Sequence, residues 1–546
     1  MHSKLEKMLI KEGHMDDEKN KLVHSFMKEK SDTFEEVVFS NNFIDEKIIL
    51  RILKEKFSIQ YIDLDEVDIQ QKAIDGISKE QAIKYSVLPF KLVGDKIFAA
   101  FHNPINSDNV EEISFLTKKQ VIPFKGLKSQ IDYYINLLYG KNECENVLKE
   151  LTGSILSSKS FENNIQDVTI EEAPAVRLVD YILSQAINEK ASDIHIEPFS
   201  ENVLIRIRIN GILHELTSIP KQVHQTLCTR IKVMAKINIA INRIPQDGKI
   251  SYIYSSYKYD LRVSSVPTIH GEKLVLRILY NTIEYHLDNP QLIEILKMNS
   301  QGTIIITGPT GSGKSSTLYS MINYLNSKER NIVTIEDPVE YSMYGINQME
   351  VNNKAGLTFS LGLKSILRQD PDVIMVGEVR DDETAKIAVR AAITGHLVLT
   401  TMHTNDSISS VLRLMDMGVP QYLVADALTA VVAQRLVRII CPHCKAEYKP
   451  SNEEIEKLNL TQHVLFHGKG CCKCNQTGYL GRRALFEIMY LNKKHREFIV
   501  NGEGMNKLRQ YSLQQGMISL KEGGYNLVRQ GITTYKEVMN RVYISE

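Results

Sequence analysis

Apolar and polar residues follow two different periods along the chain, and the change between them separates predicted helices from predicted strands. Between residues 5 and 57, apolar positions recur at helical spacing among many Lys and Glu residues, which predicts short amphipathic helices. Residues 90–101 form strand-like apolar runs, and a helix and another strand follow before residue 125. We expect residues 1–145 to form a small α/β domain with a docking or regulatory role, because the region carries no recognisable catalytic constellation.

The next two regions differ in polarity. Residues 146–172 are mostly polar and lack sustained apolar periodicity, which predicts a flexible linker. Residues 173–290 return to alternating helices and strands and predict an α/β sheet domain. Within this domain a strand at 203–209 carries arginines on one face, and Asn210-Gly211 is a typical hairpin turn.

A glycine-rich loop follows the apolar run 303–306 and precedes a helix-like stretch at 316–325. Its residues are Gly308, Pro309, Thr310, Gly311, Ser312, Gly313, Lys314, Ser315 and Ser316. This is the Walker A pattern: the glycines let backbone N–H groups surround phosphate oxygens, Lys314 reaches the β- and γ-phosphates, and the Ser315 hydroxyl ligates Mg²⁺. The loop therefore predicts binding of a nucleoside triphosphate.

Two apolar strands after this loop end in acidic residues. The run 331–341 ends in three carboxylates, the last of which is Glu340, and carboxylates beside a phosphate loop can order Mg²⁺ or the attacking water. The run 373–378 resembles a Walker B strand and ends in Gly377-Glu378. Because Gly377 stands where many such ATPases carry Asp, we expect Glu378 to act through water rather than to ligate the metal directly.

A third strand, at 397–401, has a histidine on either side. His396 precedes it and His403 follows it. A single histidine is usually structural, whereas two histidines beside one strand of a nucleotide-binding sheet are candidates for a γ-phosphate or switch contact. The sequence leaves both interpretations open.

Four polar residues of the preceding domain are further candidates. Asp193 and His195 occupy alternate strand positions, and structural hydrogen bonding is the expected role of both. Arginine on a strand usually faces solvent, but Arg262 and Arg277 precede the nucleotide-binding core and are candidates to supply positive charge to a γ-phosphate. The sequence alone does not decide between these two roles.

Length and composition limit the possible classes of protein. A chain of 546 residues is expected to form three or four domains. Lys+Arg and Asp+Glu each number 66, so net charge gives no reason to expect nucleic acid or an anionic membrane as a partner. The longest apolar runs are much shorter than the ~18 residues of a membrane span, and the charged start lacks the apolar segment of a signal peptide. We therefore expect a soluble, intracellular protein.

Five of the seven cysteines lie between residues 441 and 474. Cys441 and Cys444 form one C-x-x-C pair, and Cys471 and Cys474 form a second. This spacing is typical of tetrahedral Zn²⁺ held by four thiolates rather than of a disulfide framework. Cys472 is left over, and His443 is a less favourable ligand. The residues beyond the module, 494–541, have a helical pattern with polar faces.

Several of these motifs together resemble the secretion and pilus-assembly ATPases that power bacterial type II secretion and type IV pilus extension. The resemblance covers about 173–487 and includes the Walker A loop, Gly377-Glu378, ASDIHIEP at 191–198, PQDG at 245–248, LRVS at 261–264, GEK at 271–273, the acidic box at 334–340 and the histidine box at 394–403. It implies a multidomain α/β fold in which a PAS-like sheet domain at 173–290 precedes a RecA-like P-loop ATPase domain at 291–546. The zinc module at 441–474 and the carboxyl-terminal helices belong to the ATPase domain.

The same resemblance implies roles and partners. Glu340 looks like the catalytic glutamate that polarises water, Glu378 looks like the Walker B acid, and Arg262 and Arg277 look like the arginines that reach the nucleotide. The family implies ATP, Mg²⁺ and Zn²⁺, a homo-hexamer peripheral to the cytoplasmic face of the inner membrane, an inner-membrane platform protein and a cytoplasmic docking protein. The zinc module, the TGYLGR run at 477–482 and the long amino-terminal region favour extension or secretion over retraction.

Two other classes of function remain open at this stage. A P-loop ring could translocate nucleic acid, although zero net charge and the lack of a basic stripe interleaved with aromatic residues disfavour a helicase or a translocase. A nucleotide-gated scaffold with little turnover is the third possibility. Some relatives bind cyclic di-GMP through Arg-Leu-Gly-type motifs. The nearest run here is Lys4-Leu5-Glu6, so we expect no tight binding of that nucleotide.

Overall fold

A computed structural model gives the fold of the chain. It describes residues 4–15, 17–30, 59–105, 107–128, 130–139, 174–254, 257–280, 286–460 and 464–542, with scattered positions within 34–55 and 147–151. The predicted linker at 146–172 lies almost entirely outside these residues. Among the helices that are described, none is both long enough and apolar enough to cross a lipid bilayer.

The amino-terminal region forms short helices followed by a small sheet, as the pattern predicts. Its elements are α1 (Lys4–Lys11), α2 (Asp17–Lys30), α3 (Gln71–Ile74), α4 (Lys79–Lys84), β1 (Val87–Val93), β2 (Lys96–Phe101), α5 (Ser107–Thr117) and β3 (Gln120–Lys125). β1 pairs antiparallel with β2, and β2 pairs parallel with β3. Ser78 begins α4 with a capping box, which fixes where this helix starts. The apolar side chains of β1 and β2 are buried in a core of their own, so this α/β unit has an independent hydrophobic centre.

The middle region is one antiparallel sheet with two long helices. Its elements are α6 (Pro174–Asn188), β4 (Asp193–Pro198), β5 (Asn202–Ile209), β6 (Ile212–Pro220), α7 (His224–Met234), β7 (Gln246–Tyr254), β8 (Tyr257–Thr268) and β9 (Gly271–Leu279), and the strand order is β6-β5-β4-β9-β8-β7. Asn210 and Gly211 have φ of 50° and 84°, which confirms the predicted hairpin turn. The alternating isoleucines of β5 face the core shared with α6 and α7, so the arginines of β5 lie on the opposite face.

The region that the resemblance implies to be an ATPase, residues 291–546, is called the ATPase region and is built on a mostly parallel sheet with helices on both sides. Its elements are α8 (Pro290–Met298), β10 (Gly302–Thr307), α9 (Lys314–Leu325), β11 (Ile332–Glu336), β12 (Asn347–Glu350), α10 (Phe359–Ile366), β13 (Val373–Val376), α11 (Asp382–Ile393), β14 (Leu397–Met402), α12 (Ser407–Asp416) and α13 (Gln421–Ala427). All residues of β10, β11, β13 and β14 are buried, as expected for parallel strands covered on both faces. β14 lies between β10 and β13, so the Walker A strand and the Walker B strand are not direct neighbours.

The carboxyl-terminal part completes the sheet and adds the cysteine module. Its elements are β15 (Leu428–Ile440), β16 (Lys445–Tyr448), α14 (Asn452–Leu458), β17 (Leu465–Gly468), β18 (Tyr479–Tyr490), α15 (Lys493–Val500), α16 (Met505–Gln514), α17 (Leu520–Arg529) and α18 (Tyr535–Val542). β15 pairs parallel with β10 and antiparallel with β18, so β18 is the edge strand. The helical pattern predicted for 494–541 is confirmed.

Candidate functional site: a phosphate loop and an acidic cleft

The glycine-rich loop lies at the carboxyl end of β10, where its glycines adopt backbone angles that other residues rarely reach. Gly308, Gly311 and Gly313 have φ of 151°, 79° and 89°. A Cβ atom on Gly308 would stand 2.5 Å from the carbonyl oxygen of Gln434. Gly313 is the residue before α9, so the positive end of that helix points into the loop.

The Lys314 side chain is buried against the loop that it follows. Its ammonium group donates hydrogen bonds to the carbonyl oxygens of Gly308 at 2.8 Å and of Pro309 at 3.1 Å. Burial lowers the pKa of Lys314 to about 8, the Glu378 carboxylate opposes that change, and Arg435 adds to it. The loop therefore holds a desolvated cation beside the space that phosphates would occupy.

The acidic box after β11 is organised by Tyr319, which lies on the helix that follows the phosphate loop. Tyr319 is buried and its hydroxyl bonds to the Glu336 carboxylate, which also accepts hydrogen bonds from Thr334 at 2.6 Å and Gln348 at 3.2 Å. The same hydroxyl accepts the backbone N–H of Glu340 at 3.2 Å. One phenol group thus connects α9 to the backbone of Glu340, the residue that the sequence predicts to be catalytic.

Tyr319→Phe is expected to lower kcat for ATP more than it changes the affinity for ATP. Removing the hydroxyl frees the Glu340 backbone and leaves the phosphate loop in place, so positioning is lost while phosphate binding is kept. Steady-state ATPase kinetics together with equilibrium nucleotide binding measure the two effects. Tyr324→Phe, at an exposed position of the same helix, is the matched control. An unchanged kcat in Tyr319→Phe would contradict this positioning role.

Glu378 lies on the opposite wall, with two cationic or polar neighbours. Its carboxylate pairs with Arg380 at 2.6 Å and approaches His403 Nε2 at 3.4 Å. The carbonyl oxygen of Gly377 accepts a hydrogen bond from the Thr401 hydroxyl at 2.7 Å. These contacts fix the end of β13 relative to β14, and Glu378 lines the same cavity as the phosphate loop.

The two candidate arginines of the middle region both come to this side of the ATPase region. Arg262 pairs with Glu340 at 3.1 Å and donates to the carbonyl oxygen of Val339 at 3.4 Å. Arg277 pairs with Asp193 through Nε at 2.8 Å, and its side chain remains 60% exposed. Asp193 therefore has the predicted structural role as a hydrogen-bonding partner, whereas the same prediction is wrong for His195, because neither of its buried ring nitrogens has a hydrogen-bond partner among the described residues. The desolvation of Asp193 is outweighed by the bonds from Arg277 and Ser192, so its pKa is lowered.

A cavity of about 450 Å³ brings most of the predicted residues together. It is lined by Thr310, Gly311, Gly313, Lys314, Ser315 and Ser316 of the loop and by Arg277, Glu340, Glu378 and His403. Gly308, Pro309 and Ser312 of the same loop do not line it, and Arg262 lines a neighbouring cavity that shares Glu340 with it. His396 is not part of the cavity, because it precedes β14 and so lies at the opposite edge of the sheet, where Nδ1 contacts the carbonyl oxygen of Ala391 at 2.9 Å. Of the two histidines, the structure thus brings His403 and not His396 to this cavity, and a role of His396 at the nucleotide stays a prediction.

The structure adds two residues that the motifs do not indicate, and both come from β15. Gln434 accepts a hydrogen bond from Thr317 at 2.8 Å. Arg435 is buried and binds the carbonyl oxygens of Gln434 and Asn405. Burial lowers the pKa of Arg435, and the negative charges of Glu487 and Asp406 partly counteract this decrease. A local signal could not have found these residues, because β15 reaches the loop only through its parallel pairing with β10.

The four predicted zinc ligands form one cluster. The Sγ atoms of Cys441, Cys444, Cys471 and Cys474 all lie within 4.8 Å of one another, and three of their separations are 3.7–3.8 Å. Sulfurs about 2.3 Å from a tetrahedral zinc ion would be about 3.8 Å apart, so the set fits Zn²⁺. Backbone N–H groups of Cys471 and Gly478 donate to Cys474 Sγ, both at 3.2 Å, which suits a thiolate ligand.

Cys441→Ser or Cys474→Ser is expected to reduce bound zinc from about one ion per chain to a small fraction of that, because a serine hydroxyl does not replace a thiolate ligand. The region around 441–490 should also exchange its amide hydrogens faster. Metal analysis and hydrogen exchange measure these effects. Cys472→Ser is the matched control, since Cys472 lies in the same turn but outside the four-sulfur cluster. The absence of zinc from the unmutated protein would contradict the assignment.

Comparison with known proteins is consistent with this site. The model of the type II/IV secretion system protein family matches residues 169–540, and the MshEN domain model matches residues 57–143. The first match covers more than half of the chain. The chain belongs to this family of secretion ATPases. It is accordingly an ATP hydrolase, and the recognised resemblance and the α/β P-loop fold are confirmed.

Individual relatives agree with the family match. The chain is 36% identical over 516 residues to the type IV pilus assembly ATPase PilB of Myxococcus xanthus, covering 91% of each protein. It is 44% identical over 378 residues to the type II secretion system protein E of Dickeya dadantii, covering 68% of this chain and 76% of that protein. It is 38% identical to PilB of Thermus thermophilus, of which it spans only 56%. The Legionella pneumophila ATPase DotB shares the fold, with a TM-score of 0.52 and 21% identity over 69% of this chain and 99% of DotB.

Proposed function

We propose that this ATPase works as a hexameric motor at the cytoplasmic face of the inner membrane, where ATP hydrolysis drives type IV pilus assembly or type II secretion. The observation that carries the proposal is that the nucleotide cleft lies where two regions of the chain meet. The phosphate loop and both glutamates belong to the ATPase region, whereas Arg262 and Arg277 extend from the sheet of the middle region. A change of charge in the cleft therefore alters the electrostatic interactions of both regions.

The residues of the cleft have separate roles in the proposed reaction. Glu340 polarises the attacking water, and Glu378 orders water near the phosphate loop. Lys314, Arg262 and Arg277 stabilise the negative charge that develops on the phosphoryl oxygens. The Ser315 hydroxyl would hold Mg²⁺, which neutralises phosphate charge when it is bound. The position of His403 beside Glu378 suits a residue that senses the state of the γ-phosphate.

The ion pair between Arg262 and Glu340 provides a physical link from chemistry to movement. In the structure, Arg262 forms an ion pair with Glu340, the carboxylate that the proposed reaction needs. The negatively charged phosphates of ATP would compete with Glu340 for the Arg262 guanidinium. Nucleotide binding and hydrolysis would therefore change the contact between the two regions. Repetition of this change around a ring would convert turnover into mechanical work on an inner-membrane platform protein.

The amino-terminal region is proposed to dock the motor to its partners. The described part of this region contributes no residue to the nucleotide cavity. Its MshEN-type domain has a core separate from those of the ATPase region. It is therefore free to bind a cytoplasmic docking protein or the platform protein while the ring turns over ATP.

Deleting residues 1–145 is expected to leave most of the basal ATPase activity intact and to abolish filament assembly or secretion in cells. The physical reason is that every group that lines the nucleotide cavity lies beyond residue 260. Phosphate release by the purified protein and pilus or secretion output in a complemented strain measure the two effects. Lys314→Ala serves as the comparison, since it should abolish both. Full output from the truncated chain would contradict the docking role.

A further inference from the structure

The second cysteine pair lies in a turn that contacts the two other regions of the chain. We call residues 471–476 the knuckle turn. It contains the short 3₁₀ helix Cys472–Cys474, and its last two residues, Asn475 and Gln476, have φ of 50° and 59°. The peptide N–H groups of these two residues close the turn on the carbonyl oxygens of Cys472 and Cys471, whereas their side-chain amides reach outward to other regions of the chain.

Asp65 of the amino-terminal region occupies the outer side of the knuckle turn. Its carboxylate accepts the backbone N–H of Cys472 at 3.1 and 3.2 Å and the side-chain amide of Gln476 at 3.1 Å. Within its own region, Asp65 is held by Tyr134 and Gln130, each at 3.1 Å. The carboxylate is thus fixed on one side by the amino-terminal region and saturated on the other by the knuckle turn.

The middle region meets the same turn. Asn475 donates to the Glu189 carboxylate at 3.3 Å. Glu189 comes immediately after α6, so this contact joins the knuckle turn to the main helix of the middle sheet. Three regions that are far apart in sequence therefore converge on six residues.

The shape of the knuckle turn depends on the sulfur cluster. Cys471 N–H and Gly478 N–H point inward to Cys474 Sγ, which leaves Cys472 N–H pointing outward to Asp65. A zinc ion would fix all four sulfurs and with them the direction of each N–H group. Four thiolates around Zn²⁺ carry a formal charge of about −2, so net charge does not attract Asp65. The directed hydrogen bonds carry the contact, and Lys473 supplies a compensating positive charge nearby.

We propose that the zinc-ordered knuckle turn is the internal docking site for the amino-terminal domain, with Asp65 as the residue that it recognises. The metal then has a function beyond stabilising its own module: it fixes the position of the amino-terminal domain relative to the motor. Loss of the Asp65 contact would loosen the docking domain from the knuckle turn while leaving the nucleotide cleft unchanged. The inference does not depend on which partner the docking domain binds.

Two lysines on either side of this contact can be crosslinked to detect it. Lys128 of the amino-terminal region and Lys473 of the knuckle turn are both exposed. Both lie close to Asp132, whose pKa is raised by burial and lowered in part by the two ammonium groups. An amine-reactive crosslinker should therefore join Lys128 to Lys473 in the zinc-loaded full-length protein. Mixing ¹⁵N-labelled with unlabelled chains before the reaction distinguishes crosslinks within a chain from crosslinks between chains.

Asp65→Ala is expected to reduce the Lys128–Lys473 crosslink by roughly tenfold, since it removes hydrogen bonds to a charged acceptor, while the zinc content stays at the level of the unmutated protein. Asp68→Ala removes an exposed carboxylate from the same loop and should leave the crosslink unchanged. Chelation of zinc should reduce the crosslink as strongly as Asp65→Ala does.

Three results would overturn the proposal. The first is a crosslink that persists in zinc-loaded Asp65→Ala, and the second is a crosslink that survives the removal of zinc. The third is a Lys128–Lys473 crosslink in which labelled and unlabelled peptides pair at the frequency of random mixing, because that result would place the contact between chains. Because Asp65→Ala is tested with the metal still bound, unfolding of the cysteine module cannot account for its effect.

Discussion

Lys314→Ala is expected to lower ATP turnover by roughly 10²–10³-fold or more, as is typical when one preorganised charge is removed from a phosphate site. The Lys314 ammonium is buried, and its pKa is lowered to about 8 by that burial. A desolvated cation interacts with phosphate oxygens far more strongly than one in water. Phosphate release by the purified full-length protein at saturating ATP measures the loss.

Lys328→Ala is the control for Lys314→Ala. Lys328 is an exposed lysine soon after the same helix, so its removal changes net charge equally and should leave turnover unchanged. Near-normal ATPase activity in Lys314→Ala would contradict the assignment of the loop. Equal losses in both variants would show that the effect came from net charge rather than from the cleft.

Glu340→Gln is expected to suppress hydrolysis by roughly 10²–10⁴-fold, the range typical of a lost general base, while ATP still binds. In the proposed reaction the carboxylate acts on water, whereas the phosphates are held by the loop that lines the same cavity. The substitution also removes the ionic partner of Arg262 at 3.1 Å, so the guanidinium becomes available to the nucleotide. ATP affinity should therefore be maintained or increased while kcat falls.

Glu329→Gln provides the matched control, because Glu329 is exposed on the preceding loop. Nucleotide affinity is measured by equilibrium titration, and hydrolysis is measured by single-turnover phosphate release. Parallel losses of affinity and turnover in Glu340→Gln would indicate a structural role for Glu340 instead of a catalytic one.

The parts of the site that the sequence predicts are those built from contiguous residues. Three short segments are of this kind: the phosphate loop, the acidic box after β11 and the Gly377-Glu378 end of β13. In each, the residues that carry the chemistry are neighbours in the sequence. Parallel strands bring their carboxyl ends to one edge of a sheet, so these segments meet as expected. The same rule explains why His396 does not line this cavity, since a residue before a parallel strand lies at the opposite end of the strand from a residue after it.

Contacts between distant segments could not be predicted in the same way. Gln434 and Arg435 reach the loop because β15 pairs with β10, and nothing in the local pattern specifies that register. The partly exposed strands β6 and β7 have only a weak alternation of apolar residues, so the sequence does not predict their bounds. The contact of Asp65 with the knuckle turn depends on how whole regions pack, a level that periodicity does not encode.

The central claim, that the cleft between the phosphate loop and the acidic box hydrolyses ATP to power movement, is tested most directly by measuring bound nucleotide and released phosphate on one preparation of the full-length protein. With Mg²⁺ present, the account predicts saturable ATP binding and continuous phosphate release over many turnovers, both dependent on Lys314. Tight nucleotide binding without phosphate release beyond a single turnover would contradict the motor and identify a nucleotide-gated scaffold.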